Sequence, residues 1–363
     1  MTLNEFLAEW QNDSDRVLVH TSGSTGKPKP LWVEKRRMAA SARVTCKFLG
    51  LHEGDTALLC LPLDYIAGKM MVVRAITCGL RLVSVEPSGH PLTIDHSPLT
   101  IDHSPLTIDH SPLTIDHSVD VAQCSMVNVQ WSMFNELDFA AMVPMQVWNS
   151  LQVPEERERL RQIRHLIIGG GAIDEALERE LADFPYSVWS TYGMTETLSH
   201  IALRRLNGPE CSEWYTPFDG VRVTANEAGC LRIEAPEVCS TVLDTNDIVE
   251  LAPDGRRFRI LGRRDNVVCS GGVKLQIEQI EQKLRPHIGL PFMLTRQKDR
   301  VLGEALVLLV EDAEVGHYQE VCRQVLDRYE VPRHFYAIDR LPMTATGKPA
   351  RREAEEWVKN HRN

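Results

Sequence analysis

Thr21-Ser-Gly-Ser-Thr-Gly-Lys-Pro-Lys29 is the stretch that says most about the fold of this chain. Glycine lets backbone N–H groups approach a phosphate closely, hydroxyls donate hydrogen bonds, and lysine supplies positive charge. An apolar run, Val17-Leu-Val19, precedes the stretch, as expected for a strand that leads into a phosphate loop on an α/β sheet. The loop differs from the P-loop of ATPases, because only two residues separate its glycines and proline follows its first lysine. The pattern favours phosphate binding, with an ordinary polar surface loop as the alternative.

The composition indicates a globular protein of two domains. The chain has 363 residues, of which 43% are hydrophobic and 25% charged, with a net charge of −10. This acidic balance argues against a general binder of nucleic acid or of anionic membranes. Nine scattered cysteines form no Cys-x-x-Cys pair, which favours reduced thiols over disulfides or a zinc site. Without a signal-like N-terminus or a long apolar run, the sequence predicts a cytoplasmic protein without membrane insertion.

Strand and helix patterns alternate in the first half of the chain. Helical periodicity covers 34–49 and 66–78, and apolar runs that read as strands cover 56–61, 81–85, 139–143, 165–168 and 187–189. This alternation predicts an α/β domain with a largely parallel sheet.

From about Trp214 the patterns change to β-hairpins. One hairpin pairs 221–224 with 230–234, and a second pairs 248–251 with 257–261. After Asp265 the pattern indicates helices near 276–285 and 317–329 and a strand near 304–310. We therefore predict a large α/β domain, N-terminally shortened, with parallel sheets and a small β-barrel-like module (1–264). A small mobile α+β domain follows (265–363).

A tandem repeat interrupts the first domain. The unit Pro-Leu-Thr-Ile-Asp-His-Ser occurs four times between Pro91 and Ser118. Proline in every unit excludes a continuous coiled coil. The Asp-His pairs could bind a metal, but histidines on a loop lack the fixed geometry of a metal site. The favoured interpretation is a tandem expansion within an inserted surface loop, predicted to cover 91–137.

Further segments with glycines and charged residues follow the phosphate loop in a fixed order. They are Gly169-Gly-Gly-Ala-Ile173, Tyr192-Gly-Met-Thr-Glu-Thr197, Asp244-Thr-Asn-Asp247, Gly262-Arg-Arg-Asp-Asn266 with Ser270-Gly-Gly272, and Pro342-Met-Thr-Ala-Thr-Gly-Lys348. Together they resemble the core motifs of adenylate-forming enzymes, the superfamily of acyl-CoA synthetases, peptide-synthetase adenylation domains and luciferases. The resemblance runs from about residue 16 to residue 352.

The resemblance implies an ATP site with Mg²⁺. Residues implied to wrap the β- and γ-phosphates are Thr21, Ser22, Gly23, Ser24, Thr25, Gly26 and Lys27. Thr195 would bind the α-phosphate and Glu196 would hold Mg²⁺, which prefers carboxylate oxygens. Residues implied to contact adenosine are Tyr192, Gly171 and Ala172 at the adenine and Asp247 and Arg263 at the ribose.

The resemblance also assigns roles to the C-terminal domain. Lys348 would bridge the acid and the α-phosphate while negative charge develops in the transition state. Asp265 would be the hinge between an adenylation orientation and a thiol-transfer orientation of this domain. In the second orientation Ser270, Gly271 and Gly272 would face the pantetheine arm of coenzyme A.

The resemblance also bears on which acid is the substrate. The chain begins about twenty residues before the phosphate loop, so it resembles short o-succinylbenzoate–CoA ligases of menaquinone biosynthesis, as does Tyr192 to His200. Residues implied to form the acid pocket are Tyr65, Lys69, Gly193, Ser199 and His200. We expect Lys69, with Ser199 and His200, to anchor the second carboxylate of that acid; the alternative is a solvated helical lysine. Asp64 departs from the aromatic or histidine-bearing pattern usual at its position.

Alternatives remain open from sequence alone. The substrate could be another aryl or acyl acid, and the acceptor could be a carrier-protein pantetheine instead of coenzyme A. A non-catalytic nucleotide-binding homologue is the alternative of another class. The expected partners are a small carboxylic acid, ATP and coenzyme A, and the sequence leaves the oligomeric state, including a homo-oligomer, open.

Overall fold

The computed structural model describes residues 1–20, 30–93, 137–344 and 348–361. These residues form two compact units. Unit 1 comprises 1–20, 30–93, 137–212 and 237–239; unit 2 comprises 213–236, 240–344 and 348–361. The predicted boundary at Asp265 stays a prediction.

Unit 1 is an α/β structure, as the alternating patterns predicted. Its helices are α1 (Leu3–Gln11), α2 (Lys35–Leu49), α3 (Ile66–Cys78), α4 (Pro144–Gln152), α5 (Pro154–Gln162) and α6 (Glu175–Leu181). Its strands are β1 (Arg16–His20), β2 (Pro30–Glu34), β3 (Thr56–Leu59), β4 (Arg81–Ser84), β5 (Phe139–Met142), β6 (His165–Ile168), β7 (Ser187–Gly193) and β8 (His200–Arg205).

The main sheet of unit 1 has the strand order β4-β3-β5-β6-β7-β8. Strands β4 to β7 are parallel, and β8 runs antiparallel to β7. Strands β3 and β5 are buried at every position, as expected for a parallel sheet covered on both faces. Gly169 follows β6, and Tyr192 lies at the end of β7. Both motifs therefore lie at the carboxyl edge of the sheet, where α/β folds bind ligands.

The strand before the phosphate loop belongs to a separate hairpin. β1 pairs with β2 in antiparallel register from Arg16 opposite Glu34 to His20 opposite Pro30. The predicted strand is thus present, but its expected place in the α/β sheet is wrong. A parallel connection needs a dozen residues or more, whereas only 21–29 join these two strands.

Both ends of the repeat-containing segment are fixed to unit 1. On the N-terminal side, Gln146 Nε2 donates to Ser88 O at 2.9 Å, and Thr93 Oγ1 donates to the buried Glu156 at 2.5 Å. On the C-terminal side, Asp138 N donates to Thr56 O at 3.0 Å. Residues 94–136 lie outside the described residues, so the predicted insertion and its Asp-His pairs stay untested.

Unit 2 contains two sheets, and its short strand β9 (Thr216–Pro217) belongs to neither. Its strands are β9 (Thr216–Pro217), β10 (Arg222–Ala225), β11 (Cys230–Glu234), β12 (Leu243–Leu251), β13 (Phe258–Arg263), β14 (Val267–Ser270), β15 (Val273–Gln276), β16 (Phe292–Asp299), β17 (Gly303–Val310) and β18 (His334–Ala337). Its helices are α7 (Ile277–Leu284), α8 (Tyr318–Val325) and α9 (Arg351–Asn360). Strands β10 to β13 form an antiparallel meander, which contains both predicted hairpins.

The second sheet of unit 2 has helices on both faces. Its order is β15-β14-β17-β16, and β18 pairs in parallel with β17. Leu306 and Leu308 of β17 pack in one apolar cluster with α7 and α8, whereas Val307 and Leu309 pack in another with α9. This alternation follows the two-residue period of a strand. The predicted fold class, an α/β part with a β module and an α+β part, is confirmed.

None of the described helices is long and apolar enough to span a membrane. All eight cysteines in the described part of the chain are free thiols.

Candidate active site

A strained turn carries the central motif of the candidate site. Leu198 has φ 66°, and it is the only non-glycine residue among those described with a positive φ. The buried Thr197 holds this turn, since its Oγ1 accepts from Met194 N at 3.0 Å and donates to Ser199 O at 2.7 Å. A Cβ on Gly193 would lie 2.2 Å from Ser199 O, so the close approach of β7 to β8 requires glycine here.

The turn separates a buried hydroxyl from an exposed carboxylate. Thr195 is buried, and Glu196 is exposed on the same 3₁₀ turn. No group of three or more His, Cys, Asp or Glu side chains in the described ranges could hold a metal. A lone exposed carboxylate still fits Mg²⁺ that keeps most of its ligands as ATP phosphates and water. Tyr192 is half-buried at the end of β7, and Gly171 and Ala172 are exposed after β6.

Lys69 on α3 is buried and already paired. It is 1% exposed, and its Nζ lies 3.1 Å from Glu9 Oε2 and 4.9 Å from the centroid of the Phe6 ring. The interpretation of Lys69 as a solvated lysine is therefore wrong. Its role as a carboxylate anchor stays a prediction, but Glu9 already balances its charge. Tyr65, the residue before α3, is half-buried.

Arg74, one turn further along α3, is a buried cation without a carboxylate partner among the described residues. The side chain is 2% exposed, and Nη2 donates to Ser199 Oγ at 2.8 Å. Its Nε is buried without a hydrogen-bond partner, and Nη1 has only the Met71 sulfur at 3.7 Å. Burial lowers the pKa of Arg74 to about 10. A buried charge is costly unless it is paired, so the guanidinium has unused capacity for an anion.

The sequence reasoning missed Arg74. The available signal was an arginine inside the apolar run Met70-Met-Val-Val-Arg-Ala-Ile76, in the segment assigned to the acid pocket. Long charged residues are almost never fully buried unless they are paired, so an arginine there already indicates a partner.

His200 joins the same buried cluster. Its Nδ1 lies 3.1 Å from Ser199 Oγ, and its Nε2 lies 3.1 Å from Thr45 Oγ1 on α2. Burial, with a smaller effect of the nearby Arg74 charge, lowers the pKa of His200 well below its usual value. The imidazole is therefore neutral at physiological pH. The structure thus brings the predicted acid-pocket residues Gly193, Ser199 and His200 together.

In unit 2 the residues predicted to bind the ribose are adjacent. Asp247 of β12 lies opposite Arg263 of β13, and their side chains form an ion pair at 3.1 Å. Arg263 also makes two hydrogen bonds of 2.9 Å to Asp265, which with other nearby carboxylates raise its pKa despite burial. The predicted hinge residue therefore binds the predicted ribose residue directly.

Lys348 is held by two hydrogen bonds to Thr344. Its N donates to Thr344 Oγ1 at 3.0 Å, and its O accepts from Thr344 N at 2.7 Å. The pKa of Lys348 is lowered by burial first and by the charge of Arg263 second, with Asp247 opposing. The charges of the predicted ribose pair therefore act on the Lys348 ammonium.

A partly buried ion pair fixes the start of α9, three residues after Lys348. Arg351 makes two hydrogen bonds to Glu281 of α7, at 2.9 Å and 2.7 Å. Glu281 also accepts from Leu294 N at 2.8 Å, and Arg351 donates to Leu294 O at 2.7 Å. Hydrogen bonds from three elements thereby offset the cost of partly burying this pair.

The predicted CoA-side loop is the turn between β14 and β15. Gly271 and Gly272 have φ 58° and 85°, which only glycine adopts without strain, and Ser270 ends β14. The assignment of this turn to coenzyme A stays a prediction. Residues 21–27 lie outside the described part of the chain, so the phosphate loop is not tested either.

Comparisons with known proteins agree with the motifs. The sequence model of the AMP-binding enzyme family matches residues 5–228. The 2-succinylbenzoate–CoA ligase of Bacillus subtilis (strain 168) is 24% identical, over 97% of this chain and 71% of that protein. The ligase of the same name from Geobacillus kaustophilus (strain HTA426) is 24% identical, over 94% of this chain and 69% of that protein.

Solved structures agree as well. The acyl-CoA synthetase (AMP-forming)/AMP-acid ligase II-like protein of Dyadobacter fermentans is 34% identical, with a TM-score of 0.58 over 96% of this chain and 91% of that chain. The O-succinylbenzoate coenzyme A synthetase of Bacillus subtilis, solved with ATP and magnesium ion, has a TM-score of 0.68 at 21% identity. The match covers 93% of this chain and 69% of that chain. The predicted resemblance to adenylate-forming ligases is confirmed.

Proposed function

The chain belongs to the AMP-binding enzyme family of adenylate-forming acid–thiol ligases, and we propose that it joins o-succinylbenzoate to coenzyme A. A carboxylate oxygen of the acid attacks the α-phosphate of ATP and releases diphosphate. The thiol sulfur of coenzyme A then attacks the acyl carbon and releases AMP. The product would serve menaquinone biosynthesis, as the resemblance implies.

Arg74 is the observation that carries this proposal. o-Succinylbenzoate has two carboxylates, of which one reacts and the other stays charged. A guanidinium that is 2% exposed, lacks a carboxylate partner in the described chain and donates to Ser199 can receive the second carboxylate. An acid with one carboxylate would leave this charge unbalanced.

The other residues supply charge to the reaction. Two anions meet when the acid attacks ATP, so positive charge near the reacting atoms lowers the barrier. Lys348 provides it at the α-phosphate, where Thr195 donates a hydrogen bond. Glu196 would hold Mg²⁺, which offsets phosphate charge when it is bound. Asp247 and Arg263 orient the ribose.

The test is acid-dependent exchange of pyrophosphate into ATP with o-succinylbenzoate, benzoate and a fatty acid. We expect exchange with o-succinylbenzoate at a KM at least an order of magnitude below those of the two monocarboxylates. Lys348→Ala should abolish it. Exchange with a monocarboxylate alone would refute the proposed substrate. Thioester formation, measured with coenzyme A and separately with a pantetheinylated carrier protein, then identifies the acceptor.

A further inference from the structure

A directional chain of hydrogen bonds links α2 to Arg74. Thr45 Oγ1 donates to Ser41 O at 3.1 Å, in the preceding turn of α2. The same oxygen lies 3.1 Å from His200 Nε2, while His200 Nδ1 lies 3.1 Å from Ser199 Oγ. Ser199 Oγ in turn accepts from Arg74 Nη2 at 2.8 Å. Thr45 and Arg74 lie at opposite ends of this series of hydrogen bonds.

The direction of each bond follows from counting protons. Thr45 has one hydroxyl proton, and the Ser41 carbonyl can only accept it. With that proton on the Ser41 carbonyl, Thr45 Oγ1 accepts from His200, and this arrangement puts the imidazole proton on Nε2. Nδ1 of the neutral ring is then an acceptor, so Ser199 donates its hydroxyl proton to Nδ1. The lone pairs of Ser199 remain for Arg74, which can only donate.

We infer that Thr45 is a positioning residue for acid recognition: it fixes the Nε2–H tautomer of His200 and thereby the orientation of the Ser199 hydroxyl that holds Arg74. This inference rests on the proposed role of Arg74. Thr45 is completely buried and acts through two other side chains, without contact to the acid. The chemistry selected is a second carboxylate on the substrate.

The alternative tautomer shows why the order matters. With the proton on Nδ1, His200 would donate to Ser199, and Ser199 would then receive donors from both His200 and Arg74. The Ser199 hydroxyl proton would then point away from His200. One of the two Ser199 lone pairs would be occupied by His200 and would no longer be available to Arg74. The guanidinium would be less fixed, and preorganisation for a planar carboxylate would fall.

Thr45→Val and Thr45→Ser form a matched pair for the test. Valine keeps the shape but removes the acceptor, whereas serine keeps the hydroxyl. Long-range ¹H–¹⁵N spectra of the full chain, with His200 assigned by its loss in His200→Gln, report the tautomer directly. We expect Nε2–H in the wild type and Thr45→Ser, and a raised Nδ1–H fraction in Thr45→Val. No ligand is needed for this measurement.

Kinetics then test the consequence. Thr45→Val should raise the KM for o-succinylbenzoate roughly tenfold, with the KM for ATP unchanged, and Thr45→Ser should restore it. In a Ser199→Ala background, Thr45→Val should have no further effect on the KM for the acid, because the hydroxyl that joins His200 to Arg74 is already absent.

Three results would overturn the inference. They are a wild-type tautomer in Thr45→Val, an equal defect in Thr45→Ser, or the same effect of Thr45→Val with and without Ser199. If wild-type enzyme shows no exchange with o-succinylbenzoate, the proposed function fails instead. In that case the ligand-free comparison of tautomers still tests whether Thr45 sets the tautomer of His200.

Discussion

Replacing Arg74 by methionine should stabilise the free protein while weakening acid binding. Methionine fills a similar volume without charge, and the position is 2% exposed. Removing a buried cation that has no counter-ion among the described residues relieves the fold of an electrostatic cost. The same change removes the group proposed to receive the second carboxylate, so stability and binding should move in opposite directions.

The magnitude follows from the pKa. Burial lowers the pKa of Arg74 from 12.5 to about 10, and each pKa unit corresponds to about 1.36 kcal/mol. The charged side chain therefore costs the folded state about 3 kcal/mol at neutral pH. Because the folded pKa is depressed, this cost is complete below pH 10 and declines as pH rises toward 12.5. The lost hydrogen bond to Ser199 offsets about 1 kcal/mol, which leaves about 2 kcal/mol of stabilisation.

Urea unfolding with and without o-succinylbenzoate measures both effects. The ligand should stabilise the wild type by about 2.7 kcal/mol at a hundredfold excess over its Kd. Under the same ligand concentration Arg74→Met should gain far less, and its KM for the acid should rise about a hundredfold. The ATP KM should stay close to that of the wild type.

Lys69→Met is the matched contrast on the same helix. It leaves the half-buried Glu9 carboxylate without its partner at 3.1 Å, so the free protein should lose stability. The reasoning is refuted if Arg74→Met is destabilised by more than Lys69→Met and binds the acid as the wild type does. That result would mean that Arg74 is a structural cation with a partner in the folded protein.

The remaining predictions concern the turn and the C-terminal part. Gly193→Ala should lose adenylation and about 3 kcal/mol of stability, because its Cβ would lie 2.2 Å from a carbonyl oxygen; exchange assays and urea unfolding check this. Glu281→Gln should cost about 3 kcal/mol by leaving Arg351 unpaired, measured against the exposed control Glu320→Gln. Burial lowers the pKa of Lys348, so the alkaline limb of the exchange rate should lie below the ordinary lysine value of about 10.4. Thioester formation from preformed adenylate should lack that limb, and a shared limb would contradict the assignment.

Periodicity predicted the two longest helices of unit 1 within a residue or two. The helices predicted at 34–49 and 66–78 were found at Lys35–Leu49 and Ile66–Cys78. These segments combine an apolar face or core with a glycine that ends the helix in the left-handed conformation, at Gly50 and Gly79. Such local signals need no knowledge of the tertiary structure.

Elements that depend on partners were missed. Helix α1 was not predicted, although Thr2 and Glu5 form a capping box that the sequence Thr-Leu-Asn-Glu already indicates. The pairing of β1 with β2 was also missed, because apolar alternation does not specify which strand is the neighbour. Register and partner are set by tertiary contacts.

The site shows the same division. The motif that contains Gly193, Ser199 and His200 was identified from sequence, and the structure brings these residues together. Whether a charged side chain has a carboxylate partner was not predictable, since Lys69 and Arg74 are both cations on the same predicted helix. Only the structure shows that one has a carboxylate partner, Glu9, while the other has none among the described residues.

The anchored ends of the repeat-containing segment bear on how this sequence can change over generations. Thr93 and Asp138 are each tied to the sheet or its helices, so chain growth between them does not pull on the fold. If loop closure is the only cost, one more heptapeptide unit in the 43 residues from 94 to 136 adds about 0.1 kcal/mol. Copy number can therefore drift almost free of selection on stability. Variants with three or five units should therefore be about as stable as the chain with four.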